Sequence, residues 1–321
     1  MNFYQIAKNT FRESLREPIF YLLLVSAIML IGLFPSFALF VFREQTKLVS
    51  DSCLATTLVF GLFCAVLCAS HTVTREMKNG TVLLLLSKPV PRWSFILAKI
   101  AGIMAAMTLF VISCEAATLI SLRIAGDQFE LDFNLFFVYM GALAAASLFG
   151  ALRNYLAHKA FPSSASIAIL FLMAAMALIL PLLPVKMAEE FPLTFLMLLP
   201  VFCLIMFAIW IMVALTVTIS TRFDMISNLT FCSLIFMGGL VSDYFFGSGA
   251  DSIFSLSALL YAILPNWQLF WLVDALADRK IIPWHYVLLA AAYSAVYISF
   301  LSFVAVIFFQ NKEAASDASA P

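Results

Sequence analysis

The chain has 321 residues, of which 64% are hydrophobic and only 11% are charged. Soluble domains carry about 25% charged residues, so most of this chain must face lipid or other apolar helices rather than water. Basic and acidic residues balance at zero net charge, which excludes the general basic field of a nucleic-acid-binding protein. The six cysteines form no C-x-x-C pair, and they predict neither a disulfide framework nor a metal site.

Residues 1–18 predict an amphipathic helix that lies in the membrane interface. Apolar residues recur every four positions, at Phe3, Ala7, Phe11 and Leu15. Basic residues occupy another face of the same helix, at Lys8, Arg12 and Arg16. Pro18 marks the end of the helix, because proline lacks the amide that would continue it.

Eight apolar runs follow, each near the length of about 20 residues that a helix needs to cross a bilayer. They are residues 20–42, 53–73, 95–122, 135–152, 165–184, 193–220, 229–246 and 284–309. The predicted fold class is therefore an all-α, polytopic integral membrane protein with eight transmembrane helices. The basic residues concentrate in the segments that share a side with the N-terminus, which predicts that both termini are cytoplasmic.

The cytoplasmic segment between the second and third runs, residues 72–99, has the composition of a compact, ordered element. Its charged residues are Arg75, Glu76, Lys78, Lys88, Arg92 and Lys99. Asn79-Gly80 predicts a turn or a helix end, and Pro89 and Pro91 cannot lie inside a regular helix. A short apolar run, residues 81–86, separates these breaks. This pattern indicates a docking site for a partner protein rather than a flexible linker.

The outer segment 247–283 predicts a re-entrant hairpin. Residues 253–264 and 267–277 are apolar but each is too short to cross a bilayer, and Pro265 and Asn266 form the hinge between them. Alternatively, residues 253–272 form one kinked span, which makes the number of spans odd. Residues 313–321 are small and polar, and predict a disordered tail.

Catalytic motifs are absent from the sequence. It has no G-x-x-x-x-G-K-[ST] and no H-E-x-x-H, which argues against nucleotide binding by a P-loop and against a zinc protease. The three histidines are far apart in sequence and predict no metal site. Glu115 is the one acid deep in a predicted span, and it is a candidate for function. It either lines a translocation path, carries a proton, or ties two helices together through hydrogen bonds.

The segment 72–99 resembles the first cytoplasmic loop of type-2 ABC transporter permeases, the membrane subunits of many bacterial exporters. The matching residues are Glu76, Gly80, Thr81, Leu84, Leu85, Lys88, Pro89, Val90 and Arg92, followed by Lys99. Further matches are the turn at 220–223 with Gly238-Gly239, and the outer residues Leu264, Pro265, Asn266, Phe270, Asp274, Ile282 and Pro283. The amphipathic N-terminus is similar to the family's elbow helix. One departure is that such permeases usually have six spans, and the extra pair would lie within residues 135–184.

The resemblance implies a single permease domain, residues 1–312, with an elbow helix at 1–18 and a coupling loop at 74–94. The coupling helix would contact a separate ATPase through Arg75, Glu76, Lys78, Gly80, Thr81, Leu84 and Leu85. Lys88, Pro89 and Arg92 would anchor the loop. This chain would not be an enzyme and would hold no cofactor, because ATP and Mg²⁺ would bind to the ATPase.

The implied assembly has two ATPase copies and a second permease chain, identical or paralogous, in the inner membrane of a bacterium. Membrane lipid is the other expected partner, and nucleic acid is not expected. The implied function is ATP-driven export. Two alternatives stay open, a proton-coupled secondary transporter that uses Glu115, and a membrane enzyme or scaffold without transport.

Overall fold

The computed structural model describes residues 2–38, 45–78, 91–125, 131–180, 195–244, 264–272 and 282–317. These ranges contain helices and no strand. The α-helices are α1 (Phe3–Arg16), α2 (Pro18–Ala38), α3 (Gln45–Lys78), α4 (Arg92–Ile124), α5 (Phe133–Ala157), α6 (Phe161–Ile179), α7 (Phe195–Ser220), α8 (Met225–Ser242) and α9 (Trp284–Asp317). A short 3-10 helix, Trp267–Phe270, lies between α8 and α9.

Helices α2 to α9 are all long and apolar enough to cross a membrane, which makes eight such helices in the described ranges. This confirms the predicted fold class. Several helices extend beyond the apolar runs, because a helix satisfies its own backbone hydrogen bonds in water as well as in lipid. Helices α3 and α4 reach into the predicted cytoplasmic segment. Helix α9 continues to Asp317, inside the segment where the sequence predicts a disordered tail.

The core of the bundle lies around α4 and α7, the two spans with the largest buried share. Helix α4 packs against α1, α2, α3, α6 and α7, and α7 packs against α3 and α9. Helices α5 and α8 are mostly exposed in the isolated chain. The surfaces that face lipid or another chain therefore belong mainly to the peripheral helices.

The predicted extra pair of spans, within residues 135–184, corresponds to the hairpin of α5 and α6, which packs against α2 and α4 of the same chain. The Tyr139 hydroxyl of α5 donates a hydrogen bond to the Ile28 carbonyl of α2. Gly32 makes room for this ring, since a Cβ there would lie 2.8 Å from Tyr139 Cδ1. In the first turn of α2, the Tyr21 hydroxyl donates to the Ser147 hydroxyl of α5 at 2.9 Å. The hairpin is thus a fixed part of the bundle.

The predicted hinge at Pro265 and Asn266 lies outside any helix. The Asn266 side chain accepts a hydrogen bond from the Gln268 amide at 3.0 Å and starts the 3-10 helix. The Gln268 side chain donates to the Leu240 carbonyl of α8 at 2.8 Å. The rest of the predicted re-entrant hairpin, residues 247–263 and 273–281, lies outside the described residues, so the hairpin itself stays a prediction.

Of the two adjacent glycines of α8, Gly239 packs more closely against this hinge than Gly238 does. Replacing each with alanine is therefore expected to change the stability of the chain in opposite directions. A Cβ at Gly239 would overlap the Pro265 carbonyl oxygen and lie 2.5 Å from Trp267 Cδ1, whereas one at Gly238 would lie 3.7 Å from Leu264 Cδ2. We expect Gly239→Ala to lower the free energy of unfolding by about 1–2 kcal/mol. Gly238→Ala is expected to raise it by up to about 1 kcal/mol through helix propensity. Thermal unfolding in detergent measures both, and equal shifts would contradict the packing of the hinge on α8.

Candidate functional site

Helix α1 lies along the N-terminal half of α4 and buries a stripe of Ile6, Thr10 and Ser14 together with Leu15. The Thr10 and Ser14 hydroxyls donate to the carbonyls of Ile6 and Thr10, both at 3.0 Å, so no polar group in the stripe lacks a hydrogen bond. Of the predicted apolar face, Leu15 is buried and Ala7 and Phe11 pack against the core, whereas Phe3 is exposed. The stripe also includes the small side chains of Thr10 and Ser14.

The small side chains matter because α1 and α4 approach each other at backbone distance. Gly102 of α4 lies directly under α1, and a Cβ there would be 2.5 Å from the Ala7 carbonyl oxygen and 2.7 Å from Thr10 Cβ. Only a residue without a side chain fits at this point. The position of α1 is therefore determined by direct contact with the bundle, in addition to any contact with lipid.

Glu17, at the C-terminus of α1, joins this helix to the end of α3. Its Oε1 lies 3.2 Å from His71 Nδ1 and 3.7 Å from Arg75 Nη1. The first is an ion pair when the imidazole is protonated, and the second is an ion pair at any ordinary pH. The Glu17 carboxylate is buried, while the Arg75 side chain is 57% exposed. Arg75 can therefore hold Glu17 and still present part of its guanidinium to another molecule.

Glu13, one turn earlier in α1, joins the helix to the start of α4. Its Oε2 lies 3.5 Å from Lys99 Nζ. Lys99 is almost fully buried, with 4% of its side chain exposed, whereas Glu13 keeps 29%. The Lys99 ammonium also lies 5.8 Å from the centre of the Phe95 ring, within range of a cation–π interaction. Phe95 in turn stacks on Phe309 of α9.

Together these residues form what we call the elbow clamp, which consists of Glu13, Glu17, His71, Arg75 and Lys99. Helix α3 ends at Lys78 and α4 begins at Arg92. The clamp therefore joins α1 to both helices that border the predicted coupling loop. A cleft of about 560 Å³ opens beside it, lined by Asn9, Arg12, Glu13, Arg16, Glu17, Pro18 and Arg75. The arrangement can transmit a displacement of the loop to α1, α3 and α4 at once.

The structure describes the predicted coupling residues only in part. Arg75 belongs to the clamp. Glu76 and Lys78 lie in the last turn of α3 and Arg92 is the first residue of α4, and their side chains are outside the description. Gly80, Thr81, Leu84, Leu85, Lys88 and Pro89 lie outside the described residues. Their assigned roles stay predictions.

Glu13, Glu17 and His71 are residues that the sequence analysis did not single out. A signal was present, since Glu13 and Glu17 are four residues apart and therefore share a helix face. Ile6 and Thr10 continue the same stripe. Two acids on one face of an otherwise basic helix indicate a cationic partner, but the sequence does not say which cations.

Glu115 lies in the second half of α4 and is half-buried, and among the described residues its Oε1 has no hydrogen-bond partner. The hydrogen bond that joins α4 to α7 is instead made by Trp210, whose Nε1 donates to Thr108 at 3.0 Å. The described contacts therefore do not support the reading of Glu115 as a hydrogen-bonded tie. Among the described residues, no group of three or more His, Cys, Asp or Glu residues could hold a metal ion.

A comparison with protein families matches residues 4–153 to the family described as ABC-2 family transporter protein. The match begins in α1, ends in α5 and includes all residues of the elbow clamp. It confirms the resemblance that the sequence of the first cytoplasmic segment indicates. No curated protein matches the chain.

Proposed function

We propose that this chain is a multi-pass membrane permease subunit of an ABC transporter and is driven by a separate ATPase docked between α3 and α4. The ABC-2 family match at residues 4–153 and the eight candidate spans support this proposal. ATP and Mg²⁺ bind to that ATPase and hydrolysis takes place there. The permease moves its substrate outward across the inner membrane of a bacterium.

The elbow clamp is the observation that carries this proposal. A coupling loop must be joined rigidly to the helices that it moves, because motion would otherwise be lost in a flexible linker. Both borders of the loop are held by ion pairs to one helix, through Glu17 to α3 and through Glu13 to α4. Within the loop, Glu76, Gly80, Thr81, Leu84 and Leu85 form the surface that the ATPase contacts. Lys88, Pro89 and Arg92 anchor its return to α4.

The alternation of the spans supports a cytoplasmic location for both termini. The clamp, the turn between α5 and α6, and the turn between α7 and α8 all fall on the side of the N-terminus. These segments contain Arg12, Arg16, Arg75, Arg153, Lys159 and Arg222, as expected for cytoplasmic loops. A second permease chain, identical or paralogous, completes the translocation path, and two ATPase copies bind below the pair.

The double variant Glu76→Ala with Gly80→Pro is expected to uncouple the transporter while it still inserts into the membrane. The proline and the lost carboxylate disturb the docking segment but no span. We expect the ATPase activity that depends on this chain to fall on the order of tenfold, equivalent to about 1.4 kcal/mol of docking free energy. Co-purification of a P-loop ATPase with the tagged chain, together with its ATPase rate, measures the effect.

The matched control is Glu130→Ala with Gly126→Pro, which makes the same two replacements in the predicted outer loop 123–134. This control should keep both the ATPase and its rate. Full coupling in the Glu76/Gly80 variant would show that the segment between α3 and α4 is not the docking site.

A proton-coupled carrier is the second candidate, favoured by the unpartnered Oε1 of Glu115. Under the main proposal, Glu115→Gln keeps the ATPase bound and leaves ATP dependence intact. Under the alternative, the wild-type chain reconstituted alone takes up protons along a pH gradient and Glu115→Gln abolishes this flux. A pH-sensitive dye inside proteoliposomes without ATPase distinguishes the two, since the main proposal expects no flux in either sample.

A further inference from the structure

A basic cleft lies where α1 meets the turn between α5 and α6. It has a volume of about 430 Å³ and is lined by Arg16, Asn154, His158, Lys159 and Ala160. We call it the turn cleft. It contains no residue of the elbow clamp, although Arg16 also lines the cleft beside the clamp. The permease function proposed above assigns no ligand to it.

The backbone of the turn is held in one shape by its own hydrogen bonds. The Asn154 amide donates to the Lys159 carbonyl at 2.8 Å, and the Lys159 amide donates to the Arg153 carbonyl at 3.4 Å. His158 between them adopts the left-handed conformation with φ of 50°, which non-glycine residues adopt only where the surroundings require it. The cleft is therefore an ordered feature of the hairpin.

No ion pair among the described residues neutralises the cations around the cleft. Arg16 and Lys159 line it, Arg153 lies in the same turn with its guanidinium 5.8 Å from the Phe149 ring centre, and all three are exposed. The ion pairs of the described residues join other groups, and the nearby acids of α1 are held by the elbow clamp. The two positive charges that line the opening, with Arg153 nearby, attract an anion.

The surroundings of the cleft identify the anion as part of a lipid. Helices α5 and α6 are mostly exposed spans, and the cleft lies at the turn that joins them. Tyr155 and Leu156, next to the cations in sequence, are 81% and 74% exposed. Side chains of this size are stable at such exposure when they contact acyl chains at the membrane boundary. Basic pockets between spans on the cytoplasmic side are suited to phosphate-containing headgroups.

We propose that the turn cleft binds the headgroup of an anionic phospholipid of the cytoplasmic leaflet. The phosphate contacts Arg16 and Lys159, and the acyl chains pass along Tyr155 and Leu156. Because Arg16 belongs to α1 and Lys159 to the α5–α6 turn, the lipid bridges the elbow helix and the hairpin.

The test is a titration of the purified full-length chain, in uncharged detergent, with phosphatidylglycerol, phosphatidylcholine or inorganic phosphate. Thermal unfolding and native mass spectrometry report binding. We expect phosphatidylglycerol to raise the unfolding temperature and to remain bound, with no effect from the other two. For Arg16→Gln with Lys159→Gln, the apparent Kd for phosphatidylglycerol should rise at least about tenfold. Both residues are exposed, so the variant folds, and Arg16→Gln alone gives a milder test with about a fivefold rise.

The control variant is Lys8→Gln with Arg222→Gln, which removes the same charge from exposed positions outside the cleft. It should bind phosphatidylglycerol as the wild type does. Equal loss of binding in both double variants, or an equal shift with inorganic phosphate, overturns the proposal. A wild-type chain that phosphatidylglycerol does not stabilise also overturns it, and leaves an acidic segment of a partner protein as the occupant. None of these results depends on the ATPase, so they are independent of the proposed transport function.

Discussion

Replacing Glu13 with glutamine is expected to destabilise the chain by about 3 kcal/mol, the lower limit for breaking a buried ion pair. The Lys99 ammonium is almost fully buried, and the replacement removes a carboxylate that lies 3.5 Å from this charge. The reduced stability should appear as a lower unfolding temperature in detergent. Because the pair holds the start of α4, ATPase coupling should fall as well.

The two partners of this pair should not be equivalent. Glu13 keeps 29% of its side chain exposed and can be solvated by water, whereas Lys99 keeps 4%. We therefore expect Lys99→Met to cost less than Glu13→Gln, and the double variant to be about as stable as Lys99→Met alone. Thermal unfolding of the four proteins gives the double-mutant cycle. A double variant as unstable as the sum of its single changes would show that the pair does not interact.

Replacing Gly102 with leucine is expected to separate α1 from α4, at a cost of about 3 kcal/mol, the upper range for an overpacked contact. The first added carbon would lie 2.5 Å from the Ala7 carbonyl oxygen, and backbone atoms cannot move aside as a side chain can. The clamp pairs of Glu13 and Glu17 should be lost together with the helix contact. Limited proteolysis of the N-terminal residues and thermal unfolding measure the two effects.

Gly141 of α5 is the matched control, because a Cβ there meets nothing within 4 Å. Gly141→Leu should be neutral or should stabilise the chain by about 1 kcal/mol, since leucine has the higher helix propensity. The same replacement is thus expected to have opposite signs at the two positions. A stable Gly102→Leu protein that resists proteolysis at its N-terminus would contradict the close approach of α1.

Helix α1 shows which of its features the sequence determines and which the tertiary structure determines. The existence and end of α1 follow from its periodicity and from Pro18, and these features are local. The burial of Thr10 and Ser14 does not follow from the apolar periodicity, because it depends on the position of Gly102 in another helix. Where two helices meet at backbone distance, small residues are selected over large apolar ones.

The eight spans were determined by the sequence itself, since crossing a bilayer requires a continuous apolar run of known length. The resemblance of residues 72–99 to an ABC permease loop was likewise present in the sequence, and the family match of residues 4–153 agrees with it. The tertiary structure alone decided that Glu13 meets Lys99, that Glu17 meets His71 and Arg75, and that the α5–α6 hairpin packs on α2 and α4. The physical reason is the separation along the chain of the residues that interact. Hydropathy and helix breaks act between neighbours along the chain, whereas an ion pair forms only where two distant segments are packed together.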